Sequence, residues 1–255
     1  MNETEAVAYN ETDRWRYPRF FADNDGEKAF IGGEDARHII SVLRMKAGDY
    51  TVICDNMKTD SLCRIKSMQK DLVELEVLES RKNEAEPDVD IILFQCLPKG
   101  DKMDYIVQKS VELGVSRIVP VLSKRCISRP DEKTIIKKIQ RWQKISEEAS
   151  KQCGRGKIPL IAPLTDFRTA VTEYSQKTMG ILFYECGGNS LSNIITEKIN
   201  EIGIFIGSEG GFEPEEAELA QKNGIIAASL GKRILRCETA PLAVLSILMN
   251  LTDNM

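Results

Sequence analysis

The sequence predicts an α/β protein of two domains, a small β-barrel followed by a parallel sheet covered by helices on both faces. Three observations carry that prediction. Short alternating strands separated by Gly, Asp and Asn turns fill residues 17–80. The run ESRKNEAEPD at 79–88 has charges and a proline but no apolar periodicity, which reads as a linker. Beyond it, continuous apolar strands alternate with helical stretches, the pattern of a parallel sheet buried on both sides. The expected organisation is a disordered acidic tail over 1–16, the barrel over 17–80, a linker over 81–88 and the α/β domain over 89–255.

Each element has its own signal. In the barrel, residues 29–31 run into Gly32 and Gly33, 50–54 follow an Ala-Gly-Asp turn, and 61–66 and 73–77 alternate. A helix over 34–45 is expected among them, with Ile39, Val42 and Leu43 facing inward. In the second domain, 90–96, 117–122, 180–184, 202–206 and 225–230 read as strands. Between them lie helices over 103–113, stopped by Gly114, and over a long stretch with Ile135, Ile139, Trp142, Ile145 and Ala149 on one face. Leu219 closes another helix, and an apolar helix over 239–251 ends the chain.

At 255 residues there is room for one large core or two modest ones. Hydrophobic residues at 42% and charged residues at 29% fit a soluble globular protein and exclude a disordered chain. No apolar run approaches the roughly 18 residues of a membrane span. The opening MNETEAVAYNET lacks the basic start and apolar stretch of a secretory signal, so a cytoplasmic protein is expected. The seven cysteines (Cys54, Cys63, Cys96, Cys126, Cys153, Cys186, Cys237) are never spaced C-x-x-C, and His38 is the one histidine. Neither a disulfide framework nor a metal site is expected; these are scattered reduced thiols, and Cys237 reads as a small core residue rather than a nucleophile. The net charge of −4 is unevenly spread: residues 95–160 hold 15 Lys/Arg against 7 Asp/Glu. Such a basic middle suggests a face able to follow a phosphate backbone, or simply lysine-coated helices.

The chemistry concentrates at strand ends, where open parallel sheets bind ligands. Strand 202–206 leads into Gly207, Ser208, Glu209, Gly210 and Gly211, and a helix opens at 213–216 with a proline and acidic residues in its first turn. This is neither G-x-G-x-x-G nor a P-loop. An anion beside Glu209 and the glutamates at the helix start would be repelled, so a neutral or cationic ligand suits the loop, provided it is more than a tight turn. S-adenosylmethionine, a sulfonium without a phosphate, is such a ligand. A second loop, Leu230, Gly231, Lys232, Arg233, Ile234, Leu235, Arg236, Cys237 and Glu238, leads to Thr239 as a helix cap, then Ala240 and Pro241. Its buried-looking Ile234 and Leu235 are suited to flank an adenine. A third loop follows strand 180–184 at 185–188.

The runs IGSEGGFEPEE and SLGKRILRCETAPLAVLSIL, with RFF (19–21), HIISVLRMKAGD (38–49), LPKGDKMDYIVQKSVELGVSRIVPVLSKRCISR (97–129) and RWQKISEEASKQCGRGKIP (141–159), resemble the RsmE-type 16S ribosomal RNA uridine-N3 methyltransferases of the SPOUT superfamily. The resemblance covers nearly everything from Tyr17 onward. It departs at Ser208, where many relatives have proline, and at Cys237, where threonine often precedes the glutamate. It implies a PUA-like N-terminal barrel for RNA, a SPOUT domain with a C-terminal trefoil knot, and a homodimer with cofactor pockets near the subunit interface. It also implies S-adenosylmethionine as methyl donor, no metal, and a uridine N3 of 16S rRNA, in the 30S subunit or a late assembly particle, as target. Carried onto this chain, the cofactor pocket comprises Leu182, Phe183, the loop 207–211, and Leu230, Gly231, Ile234, Leu235, Arg236, Glu238, Thr239 and Ala240.

Uridine N3–H is weakly acidic, so methylation needs a general base or stabilisation of the developing uridinate oxygens, a task for the planar fork of an arginine. Arg236 is placed at the active site, the competing reading being a helix-start or phosphate contact. Glu209 is either a base or the group that orients the methionyl amine. For RNA, the expected contacts are Arg19, His38 and Arg44 on the barrel with Lys99, Lys102, Lys124, Arg125 and Arg155 from the basic middle; His38 also suits a partly buried structural role. Two other classes remain: a methyltransferase with another rRNA or tRNA target, and a non-catalytic RNA-binding dimer. The missing nucleotide motifs make an oxidoreductase or NTPase a poor fit.

Overall fold

The computed structural model describes residues 15–174, 179–185 and 187–255; the acidic tail up to residue 14 and Cys186 lie outside the described residues. The chain divides into two compact units. The first runs up to Glu86 and also takes in Gly154–Lys157; the second comprises Pro87–Cys153 and Ile158–Met255.

The first unit holds β1 (Arg19–Phe21), β2 (Lys28–Gly32), α1 (Gly33–Arg37), β3 (Tyr50–Cys54), β4 (Thr59–Gln69) and β5 (Leu72–Lys82). They form a five-stranded sheet in the order β1-β3-β4-β5-β2, antiparallel except for the parallel β1–β3 pair. Two register shifts in the β4–β5 ladder bend these long strands. Their inward residues, among them Ile31, Ile53, Ile65, Val73 and Leu75, meet Phe20 and Ile39 in one core.

Three expectations change here. The helix read over 34–45 is α1 followed by a π-helical turn at His38–Val42, whose wider spacing is marked by the Leu43 amide donating to the His38 carbonyl at 2.9 Å. The wider turn keeps Ile39 in the core but turns Val42 and Leu43 outward, 67% and 39% exposed. The stretch read as a linker is structured. Arg81 and Lys82 end β5 opposite Asp60 and Thr59, and Asn83 is buried, donating to both Asp60 oxygens and to the Gly154 carbonyl. Residues 154–157, read as part of the second domain, belong to the first unit. Glu86 Oε1 accepts from Arg155 Nε at 2.7 Å and from the Gly156 and Lys157 amides at 3.0 and 3.1 Å.

The second unit holds β6 (Asp90–Cys96), α2 (Lys102–Glu112), β7 (Arg117–Leu122), α3 (Glu132–Cys153), β8 (Leu160–Ile161), β9 (Thr165–Asp166) and α4 (Phe167–Tyr174). It continues with β10 (Met179–Phe183), α5 (Leu191–Ile194), β11 (Glu201–Ile206), α6 (Pro214–Lys222), β12 (Ile226–Ala228) and α7 (Ala240–Leu251). Among the described residues its sheet runs β12-β10-β11-β6-β7-β8, with β9 beside β7, and every pair is parallel. The apolar strands account for this: with both faces covered, β6 and β11 present no polar face, and Ile91, Leu93, Ile202, Ile204 and Phe205 are all buried. Phe94 stacks on Phe205 at 4.3 Å between ring centroids.

Gly203 is required by packing. A Cβ there would lie 2.3 Å from the Tyr174 ring, which the core holds at 6% exposure. Gly203→Ala is therefore expected to cost about 1–3 kcal/mol by overpacking, read as a lower urea midpoint at unchanged slope. An unmoved midpoint would mean that Tyr174 swings aside at no cost.

Candidate active site

Because β6, β10, β11 and β12 run parallel, the loops that follow them emerge along one edge of the sheet. There, a cavity of about 580 Å³ is lined by the last residues of three strands, Phe183, Ile206 and Ala228, by Tyr184 and Glu185 after β10, 207–211 after β11 and 229–237 after β12, by Ala240, and by Lys102 at the start of α2. That is within the range of small-molecule sites.

The glycine loop is a tight turn and also a cavity wall. The Gly211 amide donates to the Ser208 carbonyl at 3.0 Å, and Gly211 has a φ of +67°. A Cβ on Gly211 would lie 2.5 Å from the Glu185 carboxylate. The loop is anchored where α6 begins. Glu213 and Glu216 form a capping box, and Glu216 also accepts from the Lys124 amide at 2.8 Å. Arg125 ties the turn to that helix start, donating to the Gly210 carbonyl at 2.8 Å and from Nε to Glu213 at 2.9 Å.

Charges from three chain segments converge at the cavity. Lys102 Nζ donates to Glu209 at 2.9 Å and pairs with Glu238 at 3.2 Å, while the Lys99 amide also donates to Glu209, at 3.1 Å. Burial works against ionisation of Glu209, but the Lys102 hydrogen bond and backbone N–H groups outweigh it and hold the carboxyl below the ordinary glutamate range. Glu238 is lowered in the same way, burial opposed by hydrogen bonds from Cys237, the backbone and Lys102. Its partner Lys102 is held above the ordinary lysine range, chiefly by Glu209. Among the described residues, the other cavity cations Lys232, Arg233 and Arg236 are exposed and have no side-chain partner.

Burial and the Glu238 hydrogen bond push the Cys237 thiol up to about 12. At 6% exposure it is expected to stay protonated and resist iodoacetamide at pH 8. Peptide mass spectrometry checks this, and rapid alkylation of Cys237 in the folded protein would contradict it.

The predicted cofactor residues Phe183, Gly207, Ser208, Glu209, Gly210, Gly211, Leu230, Gly231, Ile234, Leu235, Arg236 and Ala240 all line the cavity. Leu182 does not: the strand alternation turns it into the core with no exposure. Thr239 is exposed at the start of α7, where its side chain makes no capping bond, and Glu238 lies beside the cavity through Lys102. Ile234 is 88% exposed rather than buried. Glu185 opens the third strand-end loop expected from the sequence, whereas Tyr184 and Ser229 carry only the signal of their position just after strands β10 and β12.

Among the predicted RNA contacts, two are corrected. Arg19 is largely buried in a two-pronged pair with Asp60, both bonds 2.6 Å, and Arg155 is 3% exposed against Glu86. Lys124 pairs with Glu215 and Arg125 with Glu213. His38, in edge-on contact with Phe20, Arg44 and Lys99 are exposed.

Comparison with known proteins defines the class first: residues 85–249 match an RNA methyltransferase domain and 31–78 an RNA methyltransferase PUA domain. Ribosomal RNA small subunit methyltransferase E of Bacillus subtilis is 32% identical over 230 residues, 88% of this chain and 90% of its own length. A crystal structure of ribosomal RNA small subunit methyltransferase E from Neisseria gonorrhoeae, bound to S-adenosyl methionine, superposes with a TM-score of 0.85 at 32% identity, covering 92% of this chain and 98% of that one. A methyltransferase from Legionella pneumophila, in complex with the same cofactor, reaches 0.84 at 28% identity over 92% and 98%. The chain belongs to the ribosomal RNA small subunit methyltransferase E family.

Proposed function

We propose that this protein transfers the methyl group of S-adenosylmethionine to N3 of a specific uridine in 16S rRNA. The observation that carries the reading is the strand-end cavity, whose lining combines a close-approach glycine turn, the carboxylates of Glu185 and Glu209, and Arg236, which has no side-chain partner among the described residues. The residues fit the donor. At the glycine turn itself, Glu185 and Glu209 would favour the sulfonium and ammonium charges of the donor. When bound, S-adenosylmethionine supplies an electrophilic methyl group. Ile234 and Leu235 would flank its adenine, the backbone of 207–211 and 230–240 would shape its pocket, and Glu209 would orient its amine. Glu209 is poorly suited as the base, since its contacts keep the carboxylate ionised below the usual range. Arg236 would aim its fork at O2 or O4 of the uridine and stabilise the uridinate that forms as N3–H gives its proton to solvent water; N3 then takes the methyl group and S-adenosylhomocysteine leaves.

In this reading the first unit and the loops around the cavity hold the RNA through His38, Arg44, Lys99, Lys102, Lys124 and Arg125. Affinity should then fall steeply with salt, and Lys99→Ala should flatten the log–log slope by about 0.7–0.9, one phosphate contact. An unchanged slope would remove Lys99 from the interface. The substrate is the 30S subunit or a late assembly particle in the cytoplasm. The active form is a knotted homodimer, consistent with the apolar side chains Tyr105, Ile127 and Ile247 left exposed on the second unit.

The direct test is incubation with labelled S-adenosylmethionine and 30S subunits from a strain lacking the modification, followed by nuclease digestion and mass spectrometry. A methyl group at uridine N3 of 16S rRNA is expected. Methylation of another nucleotide would overturn the target, and no incorporation with no cofactor binding would overturn the enzyme.

A further inference from the structure

Lys102 differs from the other cations of the cavity. Lys232, Arg233 and Arg236 have no side-chain partner among the described residues, whereas Lys102 is clasped by two carboxylates from different loops, Glu209 at 2.9 Å and Glu238 at 3.2 Å. The hydrogen bond to Glu209 keeps it fully cationic, so it is neither a base nor a nucleophile at neutral pH. The clasp also leaves a net negative charge: two carboxylates share one ammonium. A ligand bringing its own ammonium into this cavity competes with Lys102 for the same oxygens, and two cations on one carboxylate repel. Lys102 can yield. Its side chain is 34% exposed, it opens α2, and it stands three residues beyond the exposed Lys99, whose side chain has no partner among the described residues.

We propose that Lys102 is an RNA contact released by the cofactor. Without cofactor it closes on Glu209 and Glu238. With cofactor, Glu209, which lines the cavity, turns to the methionyl ammonium, and Lys102, left with Glu238 alone, is freed to take a phosphate of the RNA beside Lys99. Cofactor then strengthens RNA binding, and by linkage RNA strengthens cofactor binding by the same factor. The cofactor-loaded protein is thereby favoured as the form that engages the ribosomal particle. The inference rests on S-adenosylmethionine being the methyl donor.

The test measures binding of the full-length protein to unmodified 30S subunits by fluorescence anisotropy across a salt series. Three states are compared: no ligand, S-adenosylhomocysteine, and methylthioadenosine, which lacks the ammonium. S-adenosylhomocysteine is expected to tighten RNA binding about fivefold or more and steepen the salt slope by about 0.7–0.9, while methylthioadenosine does neither. Lys102→Met should abolish the gain and bind S-adenosylhomocysteine at least as tightly as the wild type in calorimetry, because the internal competitor is gone. A purely structural clasp would instead weaken that binding. Lys102→Arg should keep the gain. Equal gains in Lys102→Met and wild type, a gain with methylthioadenosine, or no gain in the wild type would each overturn the inference. If calorimetry shows no binding of S-adenosylmethionine or S-adenosylhomocysteine to the wild type, the donor assignment fails first.

Discussion

Arg236→Ala is expected to lower kcat by about 100-fold or more on saturating 30S subunits, with cofactor affinity changed by no more than about threefold. Arg236 lines the cavity and its guanidinium has no partner among the described residues, so removing it uncovers no buried charge and disturbs no local ion pair. The Arg236 backbone, by contrast, is fixed: its carbonyl accepts from the Thr239 and Ala240 amides, both at 2.9 Å. Alanine keeps that backbone, which isolates the contribution of the side chain. The ground-state uridine is neutral and its oxygens become anionic only once N3–H is lost on the way to methyl transfer, so the loss should fall on kcat rather than KM. Single-turnover kinetics with calorimetry for the cofactor separates the two. Full turnover in the variant would reduce Arg236 to a phosphate contact, and a matching rise in KM would make it a substrate-binding group.

Glu86→Ala should destabilise the first unit by about 3–5 kcal/mol, because it removes the carboxylate paired with a buried cation. The side chains of Glu86 and Arg155 are 3% and 4% exposed. One Glu86 oxygen also accepts two backbone amides, which would lose their partner. Trp15, under the Arg81 guanidinium at 3.9 Å, belongs to the first unit, and Trp142 lies in α3 of the second. Single-tryptophan variants can therefore follow the two units separately in urea. The Trp15 transition should move to lower urea while the Trp142 transition moves less. Adding Arg155→Met should recover part of the loss, since an apolar side chain there needs no counter-charge. Coincident, unshifted transitions would show that water reaches and solvates Arg155.

Both predictions bear on what the sequence reveals. The cavity was legible because its parts are short, local runs at strand ends, and parallel strands with apolar cores bring such loops to one edge whatever lies between them. The two buried arginines were not. Arg19 finds Asp60 41 residues away and Arg155 finds Glu86 at 69, with nothing in either local run to separate a buried fork from a solvent-facing one. The Lys102–Glu209 contact spans 107 residues, which hid the lysine's place at the cavity. The π-helical turn at His38–Val42 escaped for another reason. Its residues carry an ordinary helical pattern, and one widened turn is enough to rotate Val42 out of the core. Ile234 was misjudged because composition reports what a side chain prefers, whereas its loop places it in solvent beside the cavity.

The inclusion of Gly154–Lys157 in the first unit sets a schedule for biosynthesis. A nascent chain that has just emerged through Glu86 carries the whole five-stranded sheet but not the segment that satisfies Glu86 and Asn83. That segment is made about 70 residues later, roughly 4–14 s at ordinary elongation rates. During this interval β6, α2, β7 and α3 are being made while a carboxylate meant for burial stays in water. The amino-terminal unit is therefore finished only after much of the second has been translated, and a fragment truncated at the apparent domain boundary would lack its last stabilising contacts.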